Sequence, residues 1–292
     1  MTRIIPALAD IAAGYDTLFC DLWGCVHNGH DPYPAAVAAL QSYRKGGGKV
    51  VMMTNAPRPA ADVTLTLDRM GVPRDAWDLV VSSGDAAQFA LFEGAVGHKV
   101  WHLGPEKDDG FFTKPPKGHS AADITRVPLA EAEGIVCTGP FDELHETPED
   151  YRGRLLLAKV NGLKMLCTNP DIVVDMGDRR IYCAGAIAEL YTQMGGESLY
   201  FGKPHPPIYD LARRRLAEIG HEAEPSRTLA IGDGIATDVL GGINEGIDTL
   251  FITGGLSADQ FGPDVENPDQ SLLAPWLDAR QMSPTYAIGR LR

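Results

Sequence analysis

Asp21-Leu22-Trp23 sets a carboxylate, and two residues later an indole, directly behind the apolar run Thr17-Leu18-Phe19-Cys20, and Gly24 then lets the chain turn sharply. A carboxylate at the carboxyl end of a buried strand stands where open parallel sheets keep their reactive groups. Ionised, it can attack an electrophile or help to hold a hard cation; the plainer alternative is a loop aspartate that caps a turn. Three later segments repeat the pattern of an apolar run that ends in polar residues. Thr54-Asn55-Ala56 ends the run Val50–Met53. It offers a hydroxyl and backbone N–H groups to phosphoryl oxygens, although Thr-Asn after a strand also serves as a helix cap. Gly202-Lys203-Pro204 follows Leu199-Tyr200-Phe201 and puts an ammonium just before a helix that opens at Pro206-Pro207. There it neutralises an anion, or else it is an ordinary solvated charge that the helix dipole does not favour. Gly232-Asp233-Gly234-Ile235-Ala236-Thr237-Asp238 ends the run Thr228–Ile231. Its two carboxylates on a glycine-containing loop suit a hard cation held by oxygen, or an Asx-turn followed by an N-cap.

The elements that must position these groups alternate. Residues 34–45 form an amphipathic helix with Pro34 at its start and Gly46-Gly47-Gly48 as its stop. Residues 206–219 form another, with Ile208, Leu211, Ala212, Leu216 and Ile219 on one face and Gly220 behind them. Strand–helix–strand repeats of this kind predict an α/β fold with a parallel sheet, so the polar segments at the strand ends converge on one edge. Residues 82–196 interrupt this core and carry their own short strands at Lys99–Leu103, Gly134–Thr138 and Lys164–Cys167. The expected division is a core of residues 1–81 and 197–292 around an inserted cap of residues 82–196. Ser82-Ser83-Gly84 and Gly195-Gly196 are its hinges. Pro105–Pro128, rich in Gly, Pro, Lys and Asp, reads as a long loop, and the acidic stretch Asp142–Asp150 as the start of a helix running to about Val160.

In order and spacing, Asp21–Gly24, Thr54–Asn55, Gly202–Pro204 and Gly232–Asp238 resemble the four motifs of the haloacid dehalogenase superfamily, in particular its class IIA phosphatases. Thr168-Asn169-Pro170-Asp171 and Gly241–Gly246 resemble further segments of that class. The resemblance runs from about residue 15 to residue 288. It implies a Rossmann-like core with an inserted α/β cap, and a phosphatase or phosphotransferase that works through an aspartyl-phosphate on Asp21. It further implies Mg²⁺ held by Asp21, the Trp23 carbonyl and Asp233, with Asp238 completing the ligand set or its outer shell. Thr54 and Asn55 would then grip the phosphoryl group and Lys203 would balance its charge. Asn169 and Asp171, with Gly185-Ala186, would take part in substrate choice from the cap. A small phosphorylated metabolite is the implied ligand, and class members are often dimers.

One position departs from the pattern. The phosphatases carry Asp-x-Asp, whose second aspartate protonates the leaving alkoxide, and Trp23 stands there instead. General acid–base help contributes roughly 10²–10⁴ in rate, so turnover of poor leaving groups should be slow while metal and phosphate binding persist. His27, six residues after Asp21, titrates near neutrality in the ordinary case and is the nearest substitute donor, although a histidine on such a loop is more often a surface residue. Two other readings stay open: a degenerate, non-catalytic binder of phosphorylated ligands, and a dehalogenase-like enzyme on the same core. Against the second stands the full acidic set, which haloacid displacement does not need.

Composition agrees with an intracellular enzyme. The 292 residues suffice for two domains, and at 44% hydrophobic they can bury a large core. A net charge of −13 argues against nucleic acid or an anionic membrane as partner. No apolar stretch reaches membrane-spanning length, and the amino terminus lacks a signal-peptide pattern. Cys20, Cys25, Cys137, Cys167 and Cys183 show no metal-like clustering and read as free thiols in a reducing, cytoplasmic setting.

Overall fold

The computed structural model describes residues 2–176 and 179–292. Seven parallel strands form the core sheet in the spatial order Arg3–Ile4, Tyr286–Ile288, Asp248–Ile252, Thr228–Gly232, Thr17–Cys20, Lys49–Thr54, Leu79–Ser82. The chain leaves Thr17–Cys20 toward one edge through the next two strands. It returns on the other side through Thr228–Gly232 and the strands beyond. The strand order therefore reverses at Asp21, which is where such sheets open a crevice at their carboxyl edge. Both faces are covered, which is why these strands are continuous apolar runs rather than alternating ones.

The two expected helices form where the pattern placed them, and they cover opposite faces of the sheet. Pro34–Lys45 begins with proline at its first turn and buries Ala36, Val37, Leu40 and Tyr43, which follow helical spacing on one face. Leu40 alone, fully buried, contributes about 1.5–3 kcal/mol of transfer free energy. Pro206–Glu218 buries Ile208, Tyr209, Ala212 and Leu216. Ile219, expected on the same face, lies just past the helix end and stays exposed.

A second sheet, also parallel, runs in the order Glu197–Tyr200, Lys164–Cys167, Gly134–Cys137, Lys99–Leu103, Thr125–Arg126. It corrects the expected boundary. Residues 197–200 pair in register with Lys164–Cys167, so the chain re-enters the core at about Phe201–Gly202 rather than at residue 197. Helix Ser83–Phe92 sends Ala87, Leu91 and Phe92 into a cluster with Val100, Phe111 and Phe112 of this second unit. Residues 105–128 are not one open loop: short helical turns at Glu106–Asp108, Gly110–Thr113 and Ala121–Asp123 bury Phe111 and Phe112. The acidic stretch starts no helix at Asp142 either. Thr147 and Asp150 form a capping box around Pro148, a residue that can begin a helical turn but not sit inside one, and the α-helix runs only from Arg152 to Val160.

Strands Val173–Met176 and Arg179–Tyr182 pair antiparallel and form a separate small sheet. Among the described residues it reaches the core where the Trp23 indole Nε1 donates to the Asp175 carbonyl at 2.5 Å and where Arg180 donates to the Leu256 carbonyl at 3.3 Å. All five cysteines are buried free thiols. Among the described residues, no helix is long and apolar enough to cross a membrane.

Candidate active site

Asp21, Lys203, Asp233 and Asp238 meet at the carboxyl edge of the core sheet, all of them buried. Asp21 follows strand Thr17–Cys20, and its backbone N–H donates to the Ile231 carbonyl of the neighbouring strand at 2.8 Å. Lys203 is at the hub. Its ammonium donates to Asp21 Oδ1 at 2.7 Å, to Asp238 Oδ1 at 2.6 Å and to the Met53 carbonyl at 3.0 Å. All three of its hydrogens are thereby used. Burial works against its charge, but Asp21, Asp238 and Asp171 outweigh burial and hold the ammonium well above its ordinary range. The remaining Asp238 oxygen accepts from the Gly234 N–H at 3.0 Å, so neither Asp238 oxygen is spare. Asp238 therefore suits the outer shell of a metal better than direct ligation.

Asp233 is held from the other side. Its Oδ2 accepts from the Leu256 N–H at 2.9 Å. Two glycines make room for it: a Cβ on Gly24, whose φ is +75°, would fall 2.1 Å from that oxygen, and one on Gly255 would fall 2.0 Å away. Asp21 and Asp233 each offer a carboxylate oxygen, and Cys25 its sulfur, all within 4.8 Å of one another. Burial lifts the Cys25 thiol well above its ordinary range, so it remains a neutral, soft group unsuited to a hard cation. The carboxyls behave differently. Burial first, and then Asp21 and Asp238, push Asp233 well above the usual carboxylate range. Burial likewise raises Asp21, and raises Asp238 and Asp171 to about 6. Three buried carboxyls and the half-buried Asp171 share the one buried ammonium of Lys203, an imbalance that a divalent, oxygen-loving cation beside Asp21 and Asp233 would relieve. The donor set fits Mg²⁺.

The Asn55 side chain is committed within the protein, so of this residue's groups expected to hold phosphoryl oxygens its backbone N–H is the one left for that role. Its Oδ1 accepts from the Lys203 N–H at 2.8 Å, while its Nδ2 donates to the Lys203 carbonyl at 3.0 Å and to Asp171 Oδ1 at 2.9 Å. With its amide so occupied, it fixes the lysine segment and ties the cap loop to the core, and the side chain has no hydrogen left for a phosphoryl oxygen. Thr54 lines the open cavity, accepts from the Ala56 N–H at 3.2 Å and keeps its own O–H free to donate. On the cap loop, Asn169 Oδ1 accepts from the Asp171 N–H at 3.0 Å, which makes the expected turn, and both residues line the cavity. Gly185 lies behind this loop: a Cβ there would come within 2.2 Å of the Pro170 carbonyl oxygen. It supports Asp171 from the rear.

The open space has two parts. A slot of about 20 Å³ lies among Asp21, Lys203, Asp233 and Asp238. A cavity of about 260 Å³ adjoins it between core and cap, and Asp21, Trp23, Asp171 and Val174 line both. Trp23 is part of the shared wall. Its ring meets the His27 ring edge-on at 5.4 Å, and its N–H is spent on Asp175. His27 is no surface residue: it is 4% exposed, its Nδ1 accepts from the Gly29 N–H at 3.1 Å, and burial lowers it to about 4. It is neutral at pH 7, with the proton on Nε2 by inference from that hydrogen bond, and supplies no acid there. The sequence reading missed Arg58 and Asp108, which line the larger cavity but not the slot. No motif marks either residue.

Comparison with known proteins agrees with this geometry. Residues 18–114 match the family model for haloacid dehalogenase-like hydrolases, and residues 200–273 match a second model described as HAD-hydrolase-like. A crystal structure of a haloacid dehalogenase-like family hydrolase from Brucella suis is 39% identical, with a TM-score of 0.84 over 98% of this chain and 99% of that one. The 5'-nucleotidase YutF of Bacillus subtilis is 32% identical over 125 residues, which is 41% of this chain and 47% of that protein. The match to dihydroxyacetone phosphatase of Corynebacterium glutamicum also spans less than half of the relative, 35% of its length. The ribonucleotide monophosphatase NagD of Escherichia coli is 24% identical over 82% of this chain and 88% of its own. On these matches, and on the parallel core that brings Asp21, Lys203 and Asp233 together, the chain belongs to the haloacid dehalogenase-like hydrolase family.

Proposed function

We propose that this protein is a Mg²⁺-dependent, class IIA-type phosphohydrolase or phosphotransferase acting on a small phosphorylated metabolite through Asp21. One observation carries the reading: a buried carboxylate clamped by an ammonium at 2.7 Å, beside a second buried carboxylate, at a cavity between core and cap. Asp21, Asp233 and the Trp23 carbonyl would hold the ion, which supplies charge neutralisation for the transferring phosphoryl group. Lys203 fixes the Asp21 rotamer and offsets the repulsion between a carboxylate and an anionic phosphate. Asp21 attacks phosphorus, the ester P–O bond breaks, and an aspartyl-phosphate forms. Water then attacks this phosphorus, the bond to Asp21 breaks, and inorganic phosphate leaves with the carboxylate restored. Thr54 donates to a phosphoryl oxygen, and Asn55 holds the lysine loop in register. Closure of the cap through Asn55–Asp171 and Trp23–Asp175 keeps bulk water out.

Trp23 brings no proton to the leaving oxygen and His27 is neutral, so the reading favours leaving groups that depart without one, such as aryl or acyl phosphates. A cavity of about 260 Å³ lies below the ~300 Å³ at which small-molecule sites begin, and it favours a small ligand over a nucleotide. The second reading, a binder that has given up turnover, draws support from the same Trp23, whose indole is committed to holding the cap. A panel of phosphate esters assayed with and without Mg²⁺, with Asp21→Asn as control, tests both. Acid-quench trapping of a labelled phosphoenzyme decides between them: absence of label at Asp21 with every activated donor removes the enzyme.

A further inference from the structure

Asp108 is the odd residue of the cavity. It is fully buried and lines the space, and neither carboxyl oxygen has a donor in full hydrogen-bond geometry; the Thr138 hydroxyl, which also lines the cavity, lies close enough to favour its ionised form. The nearest cation is the Arg58 guanidinium, whose Nε lies 3.6 Å from Oδ1, beyond hydrogen-bond length; that Nε is itself buried and unpartnered. Buried polar groups in folded proteins are nearly always paired, because an unpaired one forfeits its hydration with nothing in return. Here a donor-hungry carboxylate and an acceptor-hungry N–H face one another across the seam, Arg58 from the core and Asp108 from the cap. At the reacting end nearly every polar atom is already spoken for.

From this pair, and resting on the phosphatase reading above, we propose that Asp108 and Arg58 form the subsite that recognises the far, non-phosphoryl end of the ligand, and that this end is a neutral group carrying adjacent hydroxyls. The charge balance selects the class. Arg58 and Lys107 are matched by Asp108 and Glu143, all four lining the cavity, and Lys107 and Glu143 pair with each other. An anionic tail would meet Asp108, and a cationic tail would meet Arg58. A hydroxyl gives its hydrogen to Asp108, and its neighbour accepts from Arg58 Nε, so both orphans are satisfied without importing charge. Val63, Leu67 and Met70 on the core side give the carbon skeleton an apolar floor. The subsite reads the tail and makes no demand on the leaving oxygen, so it is compatible with an acyl or anomeric phosphate.

The test measures binding and turnover separately on the full chain with Mg²⁺. Dissociation constants for glycerol 3-phosphate, glucose 1-phosphate and glucose 6-phosphate are compared with that of phenyl phosphate, by calorimetry on Asp21→Asn to prevent hydrolysis. At least one hydroxylated ester should bind more tightly than phenyl phosphate. Adding Asp108→Asn should weaken it by at least about tenfold while phenyl phosphate stays within about twofold. Arg58→Gln, at a more exposed residue, should show the same selective loss and serves if Asp108→Asn does not fold. Equal loss for all esters, no loss, or preference for phenyl phosphate overturns the subsite. Selective binding without hydrolysis or phosphoenzyme in the parent chain leaves the subsite standing and removes the phosphatase. Turnover of phenyl phosphate without discrimination does the reverse, and failure to bind any ester removes both.

Discussion

The two ends of one cavity are built on opposite principles. At the reacting end, Lys203 spends all three hydrogens, Asn55 its whole amide and Asp238 both oxygens on protein partners. At the far end, Arg58 and Asp108 face each other without a hydrogen bond. A saturated network holds one geometry and resists change, which suits positioning a phosphoryl group whose shape does not vary. An unsaturated pair costs stability until something fills it, which suits a group chosen by what it binds. Asp21 and Asp233 thus stand at core strand ends that share one sheet, whereas Arg58 and Asp108 meet across the seam between the two sheets' units.

Substitutions can break this contrast. The largest effect belongs to Asp21→Asn, which should lower turnover of 4-nitrophenyl phosphate by at least about 10³-fold with the fold intact, since the attacking group is gone. Next, Lys203→Met leaves Asp21 and Asp238 buried without their cation. Urea unfolding without metal should show a loss of about 3–5 kcal/mol, part of which added Mg²⁺ restores. A variant as stable as the parent would mean that the network at the reacting end is not what holds it together. Trp23→Asp puts an acid at this position and should raise kcat for alkyl phosphates by about 10²-fold. It should raise KM as well, because the indole's bond to Asp175 is lost. An unchanged kcat in a folded variant would mean that the position has been surrendered to cap docking.

The smallest effect sharpens the far end. Burial raises Asp108 from the ordinary 3.8 to about 6. The folded state therefore prefers the protonated acid: there is no penalty below about pH 4, a growing one between 4 and 6, and the full penalty above. Asp108→Asn should stabilise the ligand-free protein above pH 6, by up to about 3 kcal/mol, and the gain should vanish toward pH 4. A pH-independent difference in thermal or urea midpoint would show that the carboxyl is paired in solution.

Much of the reacting end was readable residue by residue. Asp21, Thr54 and Asp233 each end or follow an apolar core strand, and alternating strands and helices bring such ends to one edge; Lys203 follows a strand of the second sheet and reaches that edge only as the chain re-enters the core. For Trp23 the sequence showed only a side chain that brings no proton, and not its contact with the cap. Its partner Asp175 lies on a hairpin from the cap, and nothing local to either residue links them. His27 looked like a surface titrating group, yet it is buried against Trp23. The strand Glu197–Tyr200 was assigned to the wrong unit, because a short parallel strand carries no local mark of which sheet it joins.

The order of apolar runs, helix stops and polar strand ends determined the parallel core, the inserted second sheet and which polar residues could stand at the core's carboxyl edge, since these follow from short-range patterns of burial and turn chemistry. Tertiary structure alone decided which oxygens are used and which are spare. That depends on approaches between segments more than a hundred residues apart, such as Asn55 to Asp171 and Asn55 to Lys203, or across the seam from Arg58 to Asp108. A hydrogen bond forms or fails within a few tenths of an ångström, and no spacing along the chain encodes that distance.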